Sequence, residues 1–317
     1  MTTPLKSKPP TGKTFVWLSC DVSQCATEGA AIQQAVGLLG WNYKQINYKD
    51  ADPATLVAGL QQALLLKPVA VALSGLPEVL WQTEAAAYKA AGVPIIQGYE
   101  GPGPVAFPLI GSIGGPSDVS VYGKMLAEWT IADSNGKANV LNVTVNSYPI
   151  LAVFSSSFQS TLTSGCSGCK IQNQNFSLAQ VFSGGVNSGI VAALRRDPSI
   201  TYVNVADGPF IDGLPSALAA AGLSGKVKIT AESGDTQNLT DVQNGTESAF
   251  TGLALNYGSY LMVDLALRHL EGMPITDPTD GGLPKQLLVK GVSFAISISY
   301  DEPSNFRAQF KTLWLLG

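Results

Sequence analysis

The sequence predicts an α/β protein of two lobes, each a doubly wound parallel sheet. Three observations carry this. Short β-rich runs alternate with longer helix-spaced runs through nearly the whole chain. The alternation completes one βαβαβαβ round by residue 98 and begins again at 107. A length of 317 residues, with 45% hydrophobic and 13% charged side chains, suits a large core under a lightly charged surface.

The elements follow in order. TFVWLS at 14–19 reads as the first strand. TEGAAIQQAVGLLG at 27–40 puts Ala31, Ala35, Leu38 and Leu39 at helical spacing, and Gly40 ends that helix. YKQINY at 43–48 is the second strand. Asp52 caps a helix that runs to Leu66, with Pro53 in its first turn. VAVAL at 69–73 is a continuous apolar strand of the kind buried on both faces. A helix over 77–91 and the strand VPIIQG at 93–98 close the first round. The second round predicts strands at 107–113, 138–145, 171–178, 201–206 and 226–231. Helices fall between them at 117–132, 149–162, 185–196 and 212–221. Helices near 236–247 and over 258–272 come next, and 283–317 reads as strand-rich. Residues 1–12, polar and rich in Pro and Lys, read as a flexible lead with no signal peptide.

A net charge of -4 gives no general attraction to nucleic acid or anionic membranes. No apolar run reaches the roughly 18–20 residues that span a bilayer. The four cysteines form two local pairs, Cys20 with Cys25 and Cys166 with Cys169. Two loop-stapling disulfides are the economical reading and imply an oxidising compartment. The alternatives are a redox motif, which belongs between a strand and the helix it opens, and a zinc site, which must bring both pairs together. The lone histidine, His269, lies in a helix pattern and reads as structural; no G-x-S-x-G elbow accompanies it. The glycines of GPGP (101–104) and GSIGGPS (111–117) fit neither a dinucleotide fingerprint nor a P-loop. No catalytic group, metal site or cofactor is predicted.

In doubly wound folds the carboxyl ends of the strands carry the sites. Asp21 and Ser74 follow the first and third strands. Tyr99, Tyr148, Phe154 and Phe210 follow strands or open the next helix, where they stack on a ligand or fill core. Asp207 and Glu232 bind ligand hydroxyls or amines, or cap helices.

Several phrases, in their order, resemble type I periplasmic binding proteins of the ribose-binding-like family. AAIQQAVGLLGWNYKQINYKDADPATLVAGLQQAL looks like that family's first helix, second strand and second helix. KPVAVALSGLPEVLWQTEAAAYKAAGVPIIQG, YVNVADGPFIDGLPSALAAAG and TDVQNGTESAFTGLALNYGSYLMVDLALRHLEG resemble later segments. The resemblance spans about 13–300 and implies two lobes joined by three chain crossings, near 108–110, 249–253 and 283–290. It divides the chain into a lead at 1–12, a lobe of 13–108 plus 252–283, and a lobe of 109–251 plus 284–317. Where sugar binders of the family carry Asp-Arg, this chain has Tyr99 and Glu100. The family's Arg falls near Phe154 and its third-crossing Gln near Leu253, with Asn256 close by. Glu232 stands at the family's "GFD" Asp, and Asp207 retains an acidic position. Such a pocket favours a ligand less hydroxylated than a pentose, or one with an aromatic or aliphatic face.

The resemblance implies an extracytoplasmic, bacterial solute-binding protein, a monomer and not an enzyme. It would capture a sugar or sugar-like molecule between its lobes by hinge closure and deliver it to an ABC transporter permease. A membrane tether would run through an N-terminal lipid anchor that this sequence does not contain. The alternatives are a ligand sensor docking on a membrane receptor and an enzyme on the same fold.

Overall fold

The computed structural model describes residues 3–99, 105–275 and 282–317. Two compact units divide them: unit 1 spans 1–118, 254–284 and 300–317, and unit 2 spans 119–253 and 285–299.

Unit 1 holds five parallel strands: β1 (Thr14–Ser19), β2 (Asn42–Asn47), β3 (Ala70–Ser74), β4 (Ile95–Gly98) and β5 (Leu109–Ile113). Their order is β2-β1-β3-β4-β5. The apolar runs of β1 and β3 occupy the middle, and β3 is buried throughout; β2, at the edge, alternates with exposed residues. Helices α1 (Ser23–Leu38), α2 (Pro53–Leu65) and α3 (Ala85–Ala91) make the crossovers. Asp52 caps α2 by accepting from the Ala54 amide. The helix expected over 77–91 is confined to α3; two 3₁₀ turns, Glu78–Leu80 and Gln82–Glu84, precede it after Pro77. α4 (Pro116–Asp133) follows β5.

Unit 2 repeats the plan with β6 (Asn139–Thr144), β7 (Lys170–Asn175), β8 (Tyr202–Val205), β9 (Lys228–Glu232), β10 (Ala249–Thr251) and β11 (Leu287–Val289). The order is β11-β10-β9-β8-β6-β7, with only β11 antiparallel. Helices α5 (Pro149–Gly165), α6 (Leu178–Phe182), α7 (Gly185–Arg196), α8 (Leu214–Ala220) and α9 (Thr236–Asn244) link the strands. A directional chain of side chains crosses this sheet. Thr230 donates to Asn204 (2.9 Å), Asn204 to Asn142 (2.8 Å), Asn142 to Asn173 (2.9 Å) and Asn173 to Gln159 (2.8 Å). Asn142, Asn204 and Thr230 are fully buried and sit in register on neighbouring strands. Asn204→Leu is expected to cost unit 2 about 2–4 kcal/mol, since it strands two buried partners; urea denaturation measures it, and Asn139→Ala, half-buried at the start of β6, serves as control.

The chain end corrects the sequence reading. In place of a strand-rich tail in the second lobe, residues 300–317 return to unit 1 and form α11 (Phe306–Leu313). The reason is apolar: Phe306, Phe310 and Trp314, on one helical face, are buried beside Tyr260 of α10 (Leu255–Leu270). β5, assigned by sequence to the second lobe, pairs with β4 in unit 1. The chain therefore passes between units four times, after residues 118, 253, 284 and 299, where three crossings were expected.

Residues 3–12 are not a loose lead either. Leu5 is buried, and its amide donates to the Leu313 carbonyl. Glu271 accepts from the Lys6 and Ser7 amides, and Arg268 donates to the Thr3 carbonyl. α10 is buried almost all round, as befits a central helix. Its one internal ion pair, Asp264–Arg268, also receives the Trp314 indole N–H at 2.9 Å.

Candidate ligand-binding site

The strand orders of both sheets reverse direction beside the first strand of each unit, between β1 and β3 and between β6 and β8. The carboxyl ends flanking such a point are where open α/β sheets bind ligands.

In unit 1 these ends carry Asp21 and Ser74. Asp21 is exposed, and its carboxylate accepts from the Asp50 amide at 3.3 Å. The Cys20–Cys25 disulfide (Cα–Cα 5.5 Å) closes this loop onto the start of α1. Cys166–Cys169 (Cα–Cα 5.4 Å) staples the turn between α5 and β7, so both pairs are stapled as the sequence suggested. Ser74 is buried, and its hydroxyl lies 3.3 Å from both Glu28 and the Gly98 carbonyl. Burial pushes the Glu28 carboxyl up to about 8, against a smaller lowering by Ser74. Tyr99 follows β4 with φ +49°; its ring lies where a side chain on Gly114, itself at φ +68°, would stand, and its hydroxyl approaches Gly258. Glu100 and the GPGP stretch lie outside the described residues. Asn256 is committed elsewhere: its amide donates to Asp301 at 2.9 and 3.0 Å, and Asp301 also accepts from Arg307. His269 stacks on Phe107 at 5.7 Å, at the end of α10 that faces Val69 and Pro94, before the amino ends of β3 and β4.

In unit 2 the loop after β6 carries Tyr148 and the loop after β8 carries Asp207 and Phe210. Tyr148 and Phe210 stack, with centroids 6.2 Å apart and planes inclined by 24°. Phe154, expected at the site, is fully buried on α5 and is core. Glu232 ends β9 and is 4% exposed. Its carboxyl is held well above the usual range, first by burial and then by the negative charge of Asp207.

Sequence reasoning missed three residues here. Ser233, next to Glu232, adopts φ +56°, a left-handed conformation uncommon for serine. Thr251 of β10 pairs in register with Glu232. Glu232 Oε2, Ser233 Oγ and Thr251 Oγ1 are all buried without a hydrogen-bond partner. Three such atoms together at two adjacent strand ends are costly unless a further group satisfies them. The signal for Glu28 was present in the sequence. It lies three, four and seven residues before Ala31, Ile32 and Ala35, on the apolar stripe of α1.

No protein-family model matches the sequence, and no curated protein matches it. Solved structures do match. An ABC sugar transporter subunit from Rhodobacter sphaeroides superimposes with a TM-score of 0.75 at 19% identity, over 89% of this chain and 99% of that one. The chain has the type I periplasmic binding protein fold. An ABC transporter solute-binding protein from Agrobacterium vitis with bound allitol gives 0.74 at 20% identity, over 89% and 96%. A fructose-binding periplasmic domain of a hybrid two-component system gives 0.76 at 15%, over 96% and 99%. Tyr148, Asp207 and Glu232 lie at or just after the carboxyl ends of β6, β8 and β9.

Proposed function

We propose that this chain is an extracytoplasmic solute-binding protein that takes a small hydroxylated molecule, a sugar or sugar-like compound, and hands it to an ABC importer. The observation that carries the reading is the trio of unpartnered buried polar atoms on Glu232, Ser233 and Thr251. They lie at the same end of the unit 2 sheet as the Tyr148–Phe210 aromatic pair. Hydroxyl groups donate to and accept from such atoms, and an aromatic face covers the apolar side of a ring. The solved structures of this fold, described as a sugar transporter subunit, as a solute-binding protein with bound allitol and as a fructose-binding domain, support the same class. Two disulfides agree with life outside the cytoplasm.

The test is a thermal-shift screen of the non-reduced protein against sugars, amino sugars, polyols, nucleosides, amino acids and aromatic acids. Binding to the native state at 100 Kd adds about 2.7 kcal/mol and raises Tm. Hydroxylated compounds are expected to score, without being consumed. Consumption of the compound would favour an enzyme, and a response confined to nucleosides or amino acids would overturn the sugar reading. Ligand-dependent uptake in vesicles carrying the cognate permease then separates delivery from the sensing role that the same fold serves elsewhere.

A further inference from the structure

The charges around the unit 2 strand ends are one-sided. Asp207, Asp212, Glu232 and Asp235 lie in or beside the loops that follow β8 and β9. Among the described residues, the segments 145–148, 176–177, 206–213, 233–235 and 252–253 contain no Lys, Arg or His. Lys285, just before β11, holds its ammonium 5.6 Å from the centre of the Tyr122 ring. Burial raises the Glu232 and Asp212 carboxyls first, and a negative neighbour adds to each: Asp207 for Glu232, and Asp235 for Asp212, which reaches about 7.

Carboxylates in mutual repulsion are not by themselves a site. The second observation is that Glu232, 4% exposed, keeps an oxygen with no partner, and that the hydroxyls of Ser233, next in the chain, and Thr251, its register partner on β10, each 1% exposed, are unpartnered too. A neutral hydroxyl would satisfy these atoms but leave ionisation of the Glu232 carboxyl, buried and beside Asp207, as costly as before. A protonated nitrogen does both: it donates up to three hydrogen bonds, and its charge offsets that of the carboxylates. An anionic ligand would add to the repulsion. The Tyr148–Phe210 pair provides π faces, which attract a cation further.

We propose that the ligand carries a protonated amine, as in an amino sugar or another hydroxylated amine, received by Asp207 and Glu232 with Ser233 and Thr251 beside them. This rests on the solute-binding reading and narrows its ligand class.

Matched sets of compounds test it: glucosamine, glucose and glucuronate, the galacto and manno equivalents, and the amino-alcohol analogues of neutral polyols. Isothermal titration is expected to show, in at least one set, the amine binding at least tenfold more tightly than its neutral parent and the acid not binding. Asp207→Asn and Glu232→Gln are each expected to abolish that preference, with circular dichroism showing that both variants fold. Thr251→Val should weaken amine and neutral parent alike, which separates lost hydrogen bonding from lost charge recognition. A neutral parent that binds as tightly as its amine would overturn this inference and leave the solute-binding reading standing. So would a preference that survives both carboxyl substitutions. Failure of every amine to bind would overturn this inference, while the wider thermal-shift screen decides the solute-binding reading on its own.

Discussion

Trp314→Ala is expected to destabilise unit 1 by about 3–5 kcal/mol, with a fall in its melting temperature on the order of 10 °C. The indole is fully buried. It stacks on Tyr260 at 5.8 Å, and Phe310 lies against it at 5.3 Å. Its N–H also donates to Asp264, a carboxylate with no exposed surface. Truncation therefore opens a large cavity and takes a donor from a buried charge, leaving Asp264 to Arg268 alone. Urea denaturation followed by far-UV circular dichroism measures the loss. Leu315→Ala, next along the chain but 42% exposed, is expected to stay within about 0.5 kcal/mol. A loss below about 1 kcal/mol in the Trp314 variant would show that α11 is not part of the unit 1 core, contrary to its burial.

The second large effect is with pH. Glu28 in unit 1 and Glu247 in unit 2 are both buried, and burial pushes each carboxyl from 4.5 up to about 8. For Glu247 the charge of Asp241 adds to burial, with smaller effects of Asp212 and Asp235 and a lowering by Asn238. A folded-state value above the unfolded one means that the native state holds the proton more tightly. The stability is then fully present below about pH 4.5 and is lost as pH rises through about 8. Asp212 and Glu232 act in the same direction. His269, whose imidazole burial disfavours the cation, opposes them only on the acid side. Each shift of this size is worth on the order of 4 kcal/mol. Both units are therefore expected to melt several degrees lower at pH 8.5 than at pH 6. Glu28→Gln should flatten the dependence of unit 1, and Glu247→Gln that of unit 2. A glutamine keeps the shape and removes the charge, so each variant should match the parent near pH 5 and exceed it at pH 8.5. A parent whose melting is indifferent to pH over this range would mean that these carboxyls are ionised in the fold.

Much of the architecture was legible because it rests on local rules. The apolar runs of β1 and β3 announced buried parallel strands, and Asp52-Pro53 announced the start of α2. The failures occurred where tertiary contacts decide. Phe306, Phe310 and Trp314 have helical spacing, but their burial depends on α10, about 50 residues earlier, and the segment read as strands. Pro and Lys in residues 3–12 suggested a loose end, yet Glu271 and Arg268 fasten that segment from across the chain. The site was legible in outline for the same reason as the strands: its residues follow them. Asp207 and Glu232 were expected there from their positions after the strands and from the resemblance to the family. Phe154 was misplaced because a residue on the second turn of a helix points by helical phase, and its phase faces the core. Ser233 and Thr251 carried no local signal, since their role comes from strand register.

The backbone bond between Leu5 and Leu313 also has a mechanical meaning. The two ends of the described chain are clasped to each other and to α10, and the clasp lies upstream of β1. A pull on the leading segment, from a tether or a fusion partner, would be borne first by Leu5, Glu271 and Arg268. The load would pass into the central helix before it reached the sheet. The strand that delivers Asp21 is thereby shielded from strain at the end of the chain.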